Sequence, residues 1–91
     1  MAIIALFTPS GLTAEQYDES TRRLEAAGAG APAGRLHHTC YGEGTALRVA
    51  EIRDSPESFR RFGEALMPIL QAVGIKPGQP EIFPVHHTIK G

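Results

Sequence analysis

All four histidines fall in two His-His-Thr triplets, His37-His38-Thr39 and His86-His87-Thr88. A neutral imidazole can take a proton from an acidic phenol or an α-carbon, and it titrates near physiological pH, so each triplet is a candidate general base. Both triplets lie in segments that read as strands, where alternation sends one histidine of each pair to each sheet face. Two adjacent strand histidines point in opposite directions and cannot chelate one ion, and no nearby carboxylate spacing completes a metal triad. Metal or haem ligation is therefore the weakest reading of the triplets. The plain alternative to catalysis is that they are polar residues hydrogen-bonded at an interface.

Three further positions could touch a ligand. Tyr17 sits on the apolar stripe of the first helix, where its hydroxyl could meet a ligand carbonyl or phenol, or be satisfied locally as a core tyrosine. Glu51 and Arg53 share one face of a strand, a costly place for charge unless paired or wet. Arg53 could bind a carboxylate or enolate there, or form an intersubunit salt bridge. Cys40, two residues from His38 and on its face, has nothing nearby that would depress a thiol pKa, so a small buried hydrophobe is the favoured reading over a nucleophile. The glycines follow no phosphate-loop or dinucleotide spacing.

These residues need elements to hold them. Ile3, Ile4, Leu6 and Phe7 form a strand-length apolar run, apolar on both faces, and Pro9-Ser10-Gly11 ends it. Thr13 reads as a helix N-cap with Gln16 completing a capping box, and the helix should run over 14–27 with Gly28 as its left-handed stop. Its buried stripe, Tyr17, Thr21 and Leu24, is thin, which leaves the helix loosely packed or with space beneath it. The run 28–34, Gly-Ala-Gly-Ala-Pro-Ala-Gly, reads as a mobile surface loop. A second strand over 35–41 alternates Leu36, His38 and Cys40 against His37, Thr39 and Tyr41. A short connection at 42–44 leads to a third strand over 46–53. Ser55-Pro56 opens a second helix, in which Phe59, Phe62, Leu66, Ile69, Leu70 and Val73 keep a 3.6-residue period; Pro68 should kink it and Gly74 should end it. The last strand spans 81–89, and Pro84 places it at a sheet edge.

The order β-α-β-β-α-β implies a ferredoxin-like α+β fold: a four-stranded antiparallel sheet in the order 4-1-3-2, with both helices on one face. Strands two and four then lie about three strand spacings, or ~14 Å, apart, so His38 and His86 could share only a wide cavity or a dimer seam. The 91 residues fit one domain, and 42% hydrophobic against 21% charged residues is a globular composition. A formal charge of −1 leaves no footprint for nucleic acid or an anionic membrane. One cysteine forbids an internal disulfide, and there is neither a membrane-length apolar run nor a signal-peptide pattern, so a cytoplasmic protein is expected. A chain this short has a marginal core, and the apolar second face of its sheet calls for a cover, so a homodimer is expected.

Several local motifs sharpen this reading. Thr13-Ala14-Glu15-Gln16-Tyr17, Gly34-Arg35-Leu36-His37-His38 and Pro80-Glu81-Ile82-Phe83-Pro84-Val85-His86 resemble a subgroup of small, mostly uncharacterised bacterial proteins. That subgroup lies within the dimeric α+β barrel superfamily, which includes the antibiotic-biosynthesis-monooxygenase-like proteins. Where the subgroup carries an aromatic residue before the acidic-Ser helix start, this chain has Arg53-Asp54-Ser55.

The resemblance implies a homodimer with one pocket per subunit between helices and sheet, binding a small apolar, aromatic or polyketide-like molecule. It also implies that His38 and His86 share the helix-side face. On this reading a cofactor-free monooxygenase or cyclase/isomerase would use His38 or His86 as base, with Tyr17 and Arg53 orienting or polarising an oxygen and Cys40 near the ligand. A non-catalytic dimeric ligand-binding or stress-related module is the alternative. An enzyme should show a cavity with one of these histidines at its wall and unpaired by protein groups. A binding module should have them satisfied.

Overall fold

A computed structural model describes residues 1–90. The elements run β1 (Ile3–Phe7), α1 (Ala14–Ala26), β2 (Arg35–Tyr41), β3 (Arg48–Arg53), α2 (Pro56–Val73) and β4 (Glu81–Pro84). The sheet is antiparallel in the order β2-β3-β1-β4, the ferredoxin-like arrangement expected from the sequence. Among the described residues no helix is long and apolar enough to cross a membrane.

Local chemistry sets each boundary. The Thr13 hydroxyl accepts from the Gln16 amide, and the Gln16 side chain accepts from the Thr13 amide, which closes the capping box of α1. Ser55 caps α2 in the same way through the Ser58 amide, and Pro56 occupies the first turn, where its missing N–H costs nothing. Gly74, at φ 86°, takes the left-handed conformation that ends α2. Pro68 is exposed on the outer side of α2, and the helix continues through it to Val73.

Register decides which side chains meet. On the helix-covered face, Ile3 stands opposite Arg53 and Ala5 opposite Glu51, and these residues are all buried. The methyl of Ala5 leaves room for the larger Glu51 beside it. Ile4 and Leu6 point to the open face with their partners Ile52 and Ala50. Leu12, Leu70 and Ile75 form a compact cluster at one end of the helix layer, joined by Tyr17, Leu47, Leu66 and Val73.

Three sequence expectations change. β3 begins at Arg48 rather than Ala46, because the Leu47 amide donates to Leu12 O and draws Leu47 into that cluster. β4 ends at Pro84 rather than residue 89. Its partner β1 begins at Ile3, which pairs with Pro84; the Val85 amide still reaches Ala2 O, and among the described residues no strand pairs with 86–90. The small-residue run 28–34 is not a free loop. Arg35 Nη1 donates to Gly30 O, Arg53 Nη1 donates to Ala33 O, and the Asp54 amide donates to Gly34 O. Gly34 has φ 88°, and a Cβ there would lie 2.6 Å from Ser58, so only glycine fits the turn into β2.

Candidate functional site

Strict alternation along β2 would put Arg35 with His37, away from His38. A β-bulge changes this. Arg35 pairs with Arg53 and His37 with Ile52, so Leu36 is the extra residue; Leu36 and His37 then both stand opposite Ile52. Arg35 is thereby returned to the helix-covered face, with His38 opposite Glu51 and Cys40 opposite Val49. Leu36, expected beside His38, is instead 53% exposed. Arg35 is the site residue that pattern reading missed. The one cue was Gly34, whose backbone permits the irregular start of the strand.

These residues form a continuous chain of polar contacts from α1 into the sheet. The Tyr17 hydroxyl lies 2.7 Å from His38 Nε2, His38 Nδ1 lies 2.6 Å from Glu51 Oε1, and Arg53 Nε donates to Glu51 Oε2 at 2.6 Å. Arg35 Nε sits 3.4 Å from Glu51 Oε1, at ion-pair distance but without hydrogen-bond geometry. Arg53 Nη2, also buried, has no acceptor among the described residues. Phe62 of α2 closes the cluster, with the Arg53 guanidinium 4.5 Å and that of Arg35 5.4 Å from its ring centre.

The protonation pattern follows from the surroundings. Burial opposes ionisation of Glu51, but hydrogen bonds from His38 and Arg53 outweigh it and hold the carboxyl below its ordinary value. Burial raises the Tyr17 pKa, so the phenol keeps its proton. A carboxylate at Glu51 makes His38 Nδ1–H the donor, which leaves Nε2 to accept the Tyr17 proton; the tautomer is assigned from this network.

A partly enclosed cavity of about 110 Å³ lies beneath α1, between the helices and the sheet. Its lining is mostly apolar, from residues such as Leu24, Val49, Phe59 and Leu66, and its polar wall is Tyr17, Ser20, His38, Arg35 and Glu51. The thin stripe of α1 accounts for the space: Ser20 and Thr21 line it where larger side chains would fill it. Ser20 itself is buried and donates to Tyr17 O.

The structure thus brings Tyr17 and His38 together and leaves three expected site residues apart from the cavity. Arg53 has no exposed surface and stands behind Glu51 and Phe62. Cys40 shares the His38 face but does not line the cavity, and burial raises its thiol pKa. His86 and His87 lie past the end of β4, exposed, so within the protomer His86 does not share the helix-covered face with His38. Nor is His38 unpaired, since protein groups engage both its nitrogens. Among the described residues no cluster of three or more His, Cys, Asp or Glu side chains could hold a metal ion.

Neither a family model nor a curated protein matches the chain. Solved structures do. SnoaB, a cofactor-independent oxygenase from Streptomyces nogalater, is 18% identical with a TM-score of 0.64, covering 99% of this chain and 96% of its own. MupZ from Pseudomonas fluorescens is 9% identical with a TM-score of 0.65, covering 93% of this chain and 73% of its own. An antibiotic biosynthesis monooxygenase candidate from Chloroflexus aurantiacus J-10-fl is 19% identical with a TM-score of 0.62, covering 98% of this chain and 99% of its own. At these identities the common property is the fold, which is that of the antibiotic-biosynthesis-monooxygenase-like proteins.

Proposed function

We propose that the protein is a cofactor-free monooxygenase or cyclase/isomerase acting on a small aromatic or polyketide-like molecule, with His38 as the base. The observation that carries this reading is the Tyr17–His38–Glu51 chain at the polar wall of an otherwise apolar cavity. Tyr17 is its cavity end. A proton leaving the ligand passes to the tyrosine oxygen as the tyrosine proton moves to His38 Nε2, and the imidazolium so formed faces the Glu51 carboxylate. A buried carboxylate behind a histidine holds its tautomer and stabilises its charged form.

An enolate made in this way can react with dioxygen without a cofactor. Carbon gives electrons to O2 and a C–O bond forms, the proton returns to give a hydroperoxide, and loss of water leaves a carbonyl. One oxygen atom ends in the product and the other in water. The same proton acceptor serves an isomerisation in which no oxygen enters. Two neighbours of the same fold, one a cofactor-independent oxygenase, support the oxygenase form.

The test is oxygen uptake with a panel of phenols and enolisable aromatic ketones, without added metal or flavin. Uptake should occur with at least one of them and fall about 100-fold or more in His38→Ala. Uptake unchanged in that variant sinks the histidine base. A second reading, a ligand-binding module without turnover, draws on the pairing of both His38 nitrogens within the protomer. Ligand binding with no consumption of any bound compound would establish it. In either case we take the working unit to be a homodimer built on the open sheet face.

A further inference from the structure

The cavity has a size and a charge that together narrow its ligand. Its volume of about 110 Å³ is below the ~150 Å³ of an apolar protein cavity that holds benzene, and well below the ~300–1,000 Å³ of sites for drug-sized molecules. The enclosed space is on the scale of a single ring at most, its mouth being open, and a fused multi-ring compound would have to extend out of it.

Charge is unbalanced at the polar wall. Two guanidinium groups, Arg35 and Arg53, face one carboxylate, Glu51, and their side chains are 22%, 0% and 4% exposed. The other groups facing the cluster bring no negative charge: the Tyr17 phenol from α1, the His38 imidazole from β2, and the Phe62 ring from α2. No second carboxylate pairs with either arginine among the described residues. A buried cluster with one surplus positive charge is costly in low dielectric unless a counter-charge joins it. Arg35 brings that surplus to the cavity surface, and its Nε is among the buried donors left without an acceptor.

We propose that the cavity selects a single-ring molecule bound as its monoanion, a phenolate or an enolate, with the charged oxygen at the Tyr17–Arg35 wall and the ring among Leu24, Val49, Phe59 and Leu66. This rests on the reading of the cavity as the ligand site and extends it to the ligand's class. Arg35 is the residue that determines specificity, and the bulge at Leu36 is what delivers it.

The experiment uses the full chain and 4-nitrophenol, whose phenolate absorbs visible light, titrated at roughly pH 6, where free phenol and phenolate coexist. Nitrobenzene serves as the uncharged single-ring control and anthrone as the fused-ring one. Protein should raise the phenolate absorbance, and 4-nitrophenol should bind at least ~10-fold more tightly than nitrobenzene, the factor expected of one charge-assisted contact of about 1.4 kcal/mol. Anthrone should bind weakly or not at all. Arg35→Met should remove the preference for the anion while nitrobenzene still binds, and Arg35→Lys should keep it.

The proposal is overturned if nitrobenzene binds as well as 4-nitrophenol with no rise in phenolate, or if anthrone binds most tightly. Absence of binding by all three probes would overturn both this inference and the cavity as a ligand site. Anion-selective binding without oxygen uptake would uphold the inference and remove only the turnover.

Discussion

The Tyr17 hydroxyl and His38 Nε2 lie 2.7 Å apart although 21 residues separate them in sequence, and their rings stack at an interplanar angle of 24°. Helix α1 carries one and the edge strand β2 the other, so the contact reports the docking of α1 on the sheet as well as the chemistry of the site. Because His38 is held independently by Glu51, removing the phenol oxygen should leave the imidazole in place. Tyr17→Phe is therefore expected to lower stability by only about 1 kcal/mol, the net worth of one hydrogen bond. Its turnover should fall ~100-fold at nearly unchanged KM, the loss expected when a proton-transfer group is removed. Equal kcat for the two proteins would show that ligand protons reach His38 without the tyrosine.

Glu51 links the site to stability. Its carboxyl is held below the ordinary value of 4.5 in the folded chain, so the unfolded state binds the proton first as pH falls. The stability it contributes is fully present above pH 4.5 and is lost as pH drops through the lower folded value. Glu51→Gln leaves Arg53 buried without its carboxylate and should cost about 3–5 kcal/mol near neutrality. Denaturant unfolding as a function of pH should show the gap between the two proteins narrowing below pH 4.5. A gap that stays constant down the acid limb would mean that the carboxylate is not the stabilising form.

How much of the site was legible in the residues depends on how local the signal was. The caps at Thr13 and Ser55, the stop at Gly74 and the sheet order follow from short-range rules, and each appears in the structure. Helix periodicity puts Tyr17 on the buried stripe, whereas for His38 alternation says only that it faces away from His37, and its helix-side placement rests on the motif resemblance. Arg35 could not be placed, since one bulged residue reverses the facing of everything before it, and no side-chain pattern announces a bulge. His86 was misplaced for a different reason: the last strand reads as extended to residue 89, but its length is set by where its partner β1 begins. Arg53 keeps the face that alternation shares between it and Glu51. Its depth behind Phe62 is a packing result that sequence spacing does not carry.

The cavity offers a test that leaves the polar wall untouched. Val49 contributes to its lining from β3, so Val49→Leu extends a side chain into existing space instead of into packed atoms. Stability should be unchanged or raised by up to ~1 kcal/mol, as for cavity-filling substitutions generally. Affinity for a single-ring ligand should drop ~10-fold or more. Thermal melts and ligand titration read the two effects separately. A destabilised variant with intact binding would place the ligand somewhere other than beneath α1.

The open face of the sheet makes the last prediction. Ile4 and Leu6 project there from the central strand β1 beside Ile52 and Ala50, with Phe83 of β4 opposite Ile4 and Tyr41 at the far edge. Phe83 is 49% and Tyr41 45% exposed, so aromatic area is left in water at both margins of an apolar centre. Soluble chains seldom leave such a contiguous surface uncovered, and a second copy presenting the same face is a symmetric solution. Helices occupy the opposite side, so this association leaves the cavity beneath α1 open. Sedimentation equilibrium should give a dimer for the natural chain and a monomer for Ile52→Glu, because a carboxylate at the centre of the patch would be buried without a partner in both copies. The variant should melt at lower temperature, since a chain of this size depends on the area its partner covers. A natural chain that sediments as a monomer, or an Ile52→Glu variant that remains dimeric, would move the interface away from this face.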